Sequence, residues 1–272
     1  MSVSSMRDRS IDYAPCRYNG SRLWFRGPRR ALRSPYVACL GGCEVYGRFL
    51  SHPWPAQLGA TLTSGVVNLG VENAGIDAYL NDPGALATAA NARVAVIQLT
   101  GSHNTSNRYY TVHPRRNDRF LKASESLKAL YPEMDFTEVH FTRHLLSRLR
   151  AICPDRFESI ACETRQAWQQ RMRQLIGQLN GKIVLLWFAP KRLSAADIAV
   201  EDGEIFLDRP TVDALAPHVR EMVEVVVDDW SEGRSEMVFA ELEAHCAERL
   251  PGPAAHRQAM EALLPVIAPL VQ

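Results

Sequence analysis

The chain has 272 residues, of which 46% are hydrophobic and 22% are charged, and its formal net charge is +1. This composition is typical of a globular protein and is sufficient for one large domain or two small ones. The small net charge provides no overall field that would favour nucleic acid or an anionic membrane, so neither is expected as a partner.

The cysteines and the apolar runs bear on the compartment. Six cysteines, at positions 16, 39, 43, 153, 162 and 246, show no close pair and no C-x-x-C spacing, so we expect a reduced, cytoplasmic protein. The first thirty residues are rich in arginine and lack the apolar core of a signal peptide. No run of about eighteen apolar residues occurs, so no membrane span is expected.

Residues 1–35 form a basic lead-in, in which arginines alternate with aromatic residues such as Tyr18, Trp24 and Phe25. Such a mixture can bind polyanions. The alternative, which we favour, is a segment that wraps the domain and packs its aromatic side chains against it. Residues 36–272 are then predicted to form a single α/β domain.

Five short runs rich in Val, Ile and Leu are predicted to be strands buried on both faces. They cover residues 36–40, 65–69, 93–99, 183–189 and 222–227. Helical patterns lie near residues 44–62, 76–90, 119–130, 138–152, 157–179, 236–249 and 256–270. This alternation predicts a flavodoxin-like, three-layer αβα fold with a five-stranded parallel sheet. The segment at about 100–182 is longer than one crossover needs, so we predict a long helical insertion after strand three.

The first candidate site is the turn Gly41-Gly42-Cys43, which follows the first strand and opens a helical pattern. It lies at the carboxyl edge of the predicted sheet, where α/β proteins build their sites. The start of a helix favours a thiolate, whereas the neighbouring carboxylate of Glu44 disfavours it. Cys43 is therefore either a nucleophile or a small buried residue.

Three further candidates follow in chain order. Gly70, after the second strand, can present its backbone N–H to an oxyanion, and Asn104, after the third strand, can add a side-chain donor beside titratable His103. His256 begins the last helical pattern, where the helix dipole keeps an imidazole neutral and suited to act as a base. Taken alone, each is also typical of a connector, a turn or a surface residue.

In order and position, these four blocks resemble those of the SGNH (GDSL-like) hydrolase superfamily. The resemblance covers roughly residues 36–270 and implies a hydrolase in which Cys43 is the nucleophile and His256 the base. It also implies that Gly70 and Asn104 stabilise the oxyanion.

The chain departs from the SGNH pattern in three places. Cys43 replaces the family's serine, and the third block, Gly101-Ser102-His103-Asn104, has one residue too many. Pro253 stands where the family has the aspartate that orients the histidine. Asp228 or Asp229, after the fifth strand, is the nearest substitute by topology, and a Cys–His pair depends less on such an acid.

A second resemblance concerns two longer stretches. Tyr36-Val-Ala-Cys-Leu-Gly-Gly-Cys-Glu44 and Val112-His-Pro-Arg-Arg-Asn-Asp-Arg-Phe120 look like an uncharacterised bacterial domain family. That resemblance carries no known activity.

The predicted insertion contains four arginines within residues 107–119. Guanidinium groups clamp carboxylate, sulfate or phosphate bidentately, and the neighbouring tyrosines can stack on a sugar. The predicted substrate-binding residues are His103, Arg108, His113, Arg115, Arg116 and Arg119. The alternative is a salt-bridged loop that holds the helices. His140 and His144 share a helix face, but no third ligand accompanies them, so no metal or other cofactor is predicted.

Two functional hypotheses follow from these candidates. The first is an SGNH-like hydrolase or acyltransferase that acts on an ester or acyl group of an anionic or carbohydrate-linked small molecule. The second is a catalytically silent domain that binds a saccharide or a protein partner through the same edge. A third, sulfuryl or phosphoryl transfer, lacks a phosphate loop.

Overall fold

A computed structural model describes residues 11–33, 35–194 and 207–272. The strands are β1 (Tyr36–Gly41), β2 (Gly65–Gly70), β3 (Val94–Gln98), β4 (Tyr110–Val112), β5 (Phe120–Ala123), β6 (Lys182–Ala189) and β7 (Glu221–Val226). Five of them form one parallel sheet in the order β2-β1-β3-β6-β7, while β4 and β5 form a separate antiparallel pair. The predicted five-stranded parallel sheet is confirmed.

The α-helices of the described residues lie between these strands and, in the case of the last two, after β7. They are α1 (Cys43–Tyr46), α2 (Trp54–Thr61), α3 (Ile76–Leu80), α4 (Pro83–Ala90), α5 (Glu125–Leu130), α6 (Thr142–Ile152), α7 (Pro154–Gly177), α8 (Arg209–Asp213), α9 (Ala244–Ala247) and α10 (Pro253–Val271). None of them is long and apolar enough to cross a membrane.

The central sheet is buried on both faces because successive side chains of a strand point to opposite sides. In β1, Ala38 and Leu40 pack in the core that contains Trp168 of α7. Val37 and Cys39 belong instead to the core that contains residues of α2 and α10. This two-sided burial gives the predicted αβα layers, and the long insertion after β3 is also present.

Several predicted helices have different boundaries in the structure. The predicted helix at 44–62 is two helices, because Gly47 ends α1 in the left-handed conformation (φ 73°) and Pro53 precedes α2. The predicted helix at 119–130 begins as strand β5 and becomes helical only at Glu125. The insertion is thus not purely helical, and its own apolar core includes residues of β4, β5 and α5 to α7.

The described part of the lead-in packs closely on the domain. A β-bridge joins Cys16 to Phe25, and Phe25 is fully buried. The buried guanidinium of Arg26 donates hydrogen bonds to the carbonyl oxygens of Gly47 (2.5 Å) and Leu50 (2.6 Å), just after α1. A buried cation needs such partners, and these bonds fix the lead-in beside the Cys43 turn.

Candidate functional site

The Cys43 turn lies at the carboxyl end of β1, as the sequence predicts. The N–H of Gly42 donates to Oε1 of Gln98 (3.1 Å), and Nε2 of Gln98 donates to Oε2 of Glu44 (3.0 Å). Gln98 is the last residue of β3, so the neighbouring strand holds the turn in place. Cys43 is the first residue of α1, and its side chain is half-buried.

The Cys43 sulfur accepts a hydrogen bond from the backbone N–H of Asn73, with an N to Sγ distance of 3.4 Å. Asn73 has a φ of 56°, in the left-handed region that asparagine tolerates better than most residues. The segment after β2 therefore directs a backbone donor at the thiol. The sequence predicts Gly70, in the same segment, as an oxyanion donor, and it did not predict the bond from Asn73 to the sulfur.

The surroundings of Cys43 do not favour a thiolate. Burial, followed by the negative charges of Glu44 and Glu72, raises the pKa of the Cys43 thiol to about 12, although the Asn73 N–H and Arg48 oppose the shift. The expectation of a lowered pKa relied on a helix dipole, but α1 has only four residues and so has few aligned peptide dipoles. Burial, and after it the nearby carboxylates, outweigh these dipoles.

His256 is buried, and its ring is engaged by neighbouring residues in this structure. The N–H of Trp54 donates to its Nδ1 (3.1 Å), and the ring meets Phe188 edge-on. Burial, followed by the charge of Arg26, lowers the pKa of His256 to about 3. The ring is therefore neutral, with its proton assigned to Nε2 and its lone pair already used at Nδ1.

The predicted triad is not assembled in this arrangement. Within the described residues, His256 makes no hydrogen bond to Cys43 or to Asp228, and Asp228 is exposed at the end of β7. An acid that orients a histidine must accept a ring N–H, but Nδ1 of His256 is an acceptor here. The structure therefore joins these three residues by no hydrogen bond within its described part, and their catalytic roles stay predictions.

The two predicted oxyanion donors have different environments. The N–H of Gly70 donates to Oδ1 of Asn68 (2.8 Å). A Cβ atom at position 70 would lie 2.3 Å from the backbone nitrogen of Tyr46, so glycine permits α1 to approach β2. Asn104 uses Oδ1 to accept the hydroxyl of Thr142 (2.8 Å), which leaves its NH2 group without a partner among the described residues.

A cleft of about 620 Å³ adjoins the Cys43 turn, and we call it the arginine cleft. Three parts of the chain line it: the lead-in, the segment from α1 to the loop after β2, and the loop between β4 and β5. Its lining residues are Arg22, Leu23, Trp24, Tyr46, Val71, Glu72, His113, Arg115, Arg116 and Arg119. Of the predicted substrate-binding residues, it contains His113, Arg115, Arg116 and Arg119.

His113 shapes the loop that carries these arginines. Its Nδ1 accepts the backbone N–H groups of Arg115 (3.2 Å) and Arg116 (3.1 Å). Because the arginines contribute only their backbone N–H groups to this turn, both guanidinium side chains remain exposed. His113 therefore positions the arginines in addition to lining the cleft.

Asn117 joins the arginine loop to the domain. Its fully buried side chain accepts the N–H groups of Gly75 (2.7 Å) and Ala78 (3.0 Å) at Oδ1. Its Nδ2 donates to the carbonyl oxygen of His113 (2.9 Å). One side chain thus ties the start of α3 to the loop between β4 and β5.

The lead-in forms another wall of the cleft. The N–H of Arg22 donates to Oδ2 of Asp82 (2.7 Å), whose Oδ1 caps α4 by accepting the N–H of Ala85 (2.8 Å). Leu23 is buried, so the alternation of an extended chain turns Arg22 and Trp24 outward together. Leu23 thus packs against the domain, while polyanion binding by the exposed residues on either side of it stays a prediction.

Two predicted substrate-binding residues lie outside the cleft. Arg108 forms a salt bridge with Glu163 (3.2 Å) and donates to the hydroxyl of Tyr109 (2.9 Å), which matches the alternative of a salt-bridged loop. His103 is buried, and burial followed by the charge of Arg143 lowers its pKa to about 3. His103 lies in the protein interior, where its carbonyl oxygen accepts the hydroxyl of Tyr110 (2.8 Å).

Sequence reasoning did not assign several residues of this region. They are Arg22, Trp24, Tyr46, Glu72, Asn73 and Asn117. The alternation of basic and aromatic residues signalled the first two, and an asparagine among glycines is a signal for the left-handed turn at Asn73. Nothing local distinguishes Asn117 from a solvated loop residue, because its partners are about forty positions away in the chain.

The raised pKa of Cys43 predicts slow alkylation. At pH 7.5 we expect iodoacetamide to modify Cys43 about a hundredfold more slowly than an ordinary exposed thiol, because the loss of thiolate exceeds the gain in nucleophilicity. Exposed Cys162 is the internal reference. Peptide mass mapping after timed quenching gives both rates. Equal or faster labelling of Cys43 would contradict the raised pKa.

The Asn117 joint predicts a loss of stability on truncation. Asn117→Ala removes three hydrogen bonds. It leaves the buried N–H of Gly75 without an acceptor and that of Ala78 with only its longer bond to the carbonyl oxygen of Gly75 (3.3 Å), so the free energy of unfolding should fall by about 2–3 kcal/mol. Urea denaturation measures the change. Asn180→Ala, at an exposed position, should shift it by less than about 0.5 kcal/mol. Similar values for both variants would show that Asn117 is not a structural joint.

Three solved structures show a distant likeness to this chain. The extracellular lipase from Streptomyces rimosus aligns with a TM-score of 0.42 and 12% identity over 87% of this chain and 100% of the lipase. A gut microbial diltiazem-metabolizing enzyme gives 0.41 and 12% over 86% of this chain and 46% of the enzyme. A lipase from a goat rumen metagenome gives 0.37 and 13% over 85% and 96%. At these scores the likeness does not bear on the chemistry.

No curated protein matches the chain. A family model, described as Domain of unknown function (DUF6473), matches residues 1–271. This confirms the resemblance to an uncharacterised domain family, whereas the resemblance to SGNH hydrolases stays a prediction. The chain belongs to the DUF6473 family.

Proposed function

We propose that this domain binds an anionic ligand in the arginine cleft. The observation that carries the proposal is the state of four guanidinium groups, those of Arg22, Arg115, Arg116 and Arg119. All four line the same cleft, and none has a carboxylate within salt-bridge distance among the described residues. Other arginines of the chain, such as Arg48 and Arg108, do have such partners.

Unpaired cations gathered in one cleft repel each other, and a bound anion relieves that repulsion. The acids near these arginines do not perform this role. Asp118 makes no salt bridge within the described residues, and burial raises its pKa although Arg119 opposes the shift. Glu72 lies 3.5 Å from Nε of Arg48 and is thus already paired. A sulfate, phosphate or carboxylate group fits the vacant donors, because guanidinium binds such groups bidentately.

The environment of Cys43 supports binding over catalysis. Its thiol is protonated at neutral pH, and the candidate base His256 has its Nδ1 lone pair engaged by Trp54. A nucleophilic mechanism needs an activated nucleophile with a base in reach. This is the catalytically silent alternative, with an anionic ligand at the same edge of the sheet.

Removal of the cleft arginines tests the proposal. In Arg115→Ala/Arg116→Ala, we expect the affinity for inorganic sulfate to fall at least about tenfold, because two guanidinium donors are lost. Isothermal titration calorimetry measures the affinity, which should also weaken as ionic strength rises. Arg108→Ala is the matched control, because this arginine belongs to the same insertion but pairs with Glu163. Equal affinities in all three proteins would reject anion binding in the cleft.

A second candidate function is acyl transfer at Cys43, favoured by the Asn73 N–H directed at its sulfur. The sulfur would bond to the acyl carbon as the ester C–O bond breaks, the departing alcohol would take the thiol proton, and water would then hydrolyse the thioester. The N–H of Asn73 and the NH2 group of Asn104 would hold the oxyanion. His256 would serve as base only after it releases Trp54, and an anionic or carbohydrate-linked ester would use the arginines.

Hydrolysis of p-nitrophenyl acetate distinguishes the two functions. Because the pKa of the Cys43 thiol is raised to about 12, acyl transfer predicts a rate that keeps rising with pH up to that value, as the thiolate fraction grows, and that falls at least about tenfold in Cys43→Ala. Cys43→Ser controls for the space occupied by the side chain. Identical rates in the wild-type protein and in Cys43→Ala would exclude Cys43 as the nucleophile and leave binding as the function.

A further inference from the structure

Building on the proposed anion binding, we infer that the ligand is a saccharide with at least two negatively charged groups, selected by Trp24, Tyr46 and Glu72. These three residues line the arginine cleft together with the four arginines. They present an exposed indole, a phenol and a carboxylate. A small inorganic anion has neither a ring that packs against the indole nor hydroxyl groups that bond to the phenol and the carboxylate.

Trp24 is an unusual surface residue. Its side chain is 56% exposed, although the flanking Leu23 and Phe25 are buried and hold the backbone in place. The guanidinium of Arg17 lies 4.5 Å from the ring centroid and restrains the indole by a cation–π contact. A large apolar side chain fixed at the wall of a polar cleft is suited to pack against a flat ring of a ligand.

Tyr46 and Glu72 are suited to hydroxyl groups. Burial, followed by the charges of Glu72 and Tyr13, raises the pKa of Tyr46 to about 12, so its phenol remains a hydrogen-bond donor at neutral pH. An ionised Glu72 only accepts hydrogen bonds. A sugar hydroxyl both donates and accepts, and therefore satisfies both residues, whereas a ligand made only of anionic groups offers Glu72 no hydrogen-bond donor.

The positions of the arginines indicate more than one anionic group. Arg22 comes from the lead-in, while Arg115, Arg116 and Arg119 come from the loop between β4 and β5. Each segment is fixed separately, by Asp82 and by Asn117 respectively. A ring with charged substituents at two points can engage both segments at once, and a single sulfate is smaller than a cleft of about 620 Å³.

A nucleoside diphosphate is the main competing ligand, because it also combines a flat ring with negative charge. Its phosphate groups offer Glu72 no hydrogen-bond donor, and its ribose carries fewer free hydroxyl groups than a disaccharide does. We therefore include it as a competing probe.

Calorimetric titrations of the full chain at constant ionic strength test the inference. The probes are sodium sulfate, a sulfated uronic-acid disaccharide, the same disaccharide without sulfate, and uridine diphosphate. We expect the sulfated disaccharide to bind at least tenfold more tightly than any other probe. Trp24→Ala should lower its affinity about tenfold and leave that of sulfate unchanged. Glu72→Gln should lower the affinity for the disaccharide, because it removes an anionic acceptor, and raise the affinity for sulfate, because it removes a negative charge from the cleft.

Leu32→Ala, at an exposed apolar residue of the lead-in outside the cleft lining, is the matched control and should change neither affinity. If sulfate binds but the disaccharide binds no more tightly, or if Trp24→Ala weakens both equally, the saccharide inference fails and anion binding stands. Tighter binding of uridine diphosphate also overturns the inference. If neither sulfate nor the disaccharide binds, the proposed function itself fails.

Discussion

The buried amide of Asn117 is the constraint on which the arrangement of the cleft depends. Its three hydrogen bonds join the start of α3, at the carboxyl edge of the sheet, to the loop between β4 and β5. A fully buried amide must satisfy its donors and acceptor within the protein, so this loop has little freedom to move away. The arginines that follow His113 are consequently held beside the Cys43 turn.

The cleft combines a rigid sheet edge with two segments that lie outside the sheet. Such segments can vary without loss of the core, which is why binding residues are often found on them. In the lead-in, successive side chains point in opposite directions. Leu23 packs into the core, while Arg22 and Trp24 face the cleft. Neighbouring residues of one short segment therefore pack against the domain and line the cleft, and truncation of this segment would affect both.

The Cys43 region shows why the order of motifs does not by itself assign a mechanism. Cys43 and His256 occur in the order that the SGNH resemblance requires, but catalysis depends on hydrogen bonds and protonation states. The imidazole caps the N–H of Trp54, and the thiol lies among carboxylates. Those environments are set by residues far apart in the chain, such as Arg26 for His256 and Asn73 for Cys43.

The sequence alone determined the parallel sheet, its two-sided burial and the long insertion after β3, because hydrophobic periodicity is a local property. It also identified the loop of Arg115, Arg116 and Arg119 as a candidate anion site. Only the tertiary structure decided that Arg22 and Trp24 face the same cleft, that Arg108 is paired with Glu163, and that His256 is a buried cap. Hydrogen bonds and ion pairs between residues distant in the chain follow from packing, which local patterns do not encode.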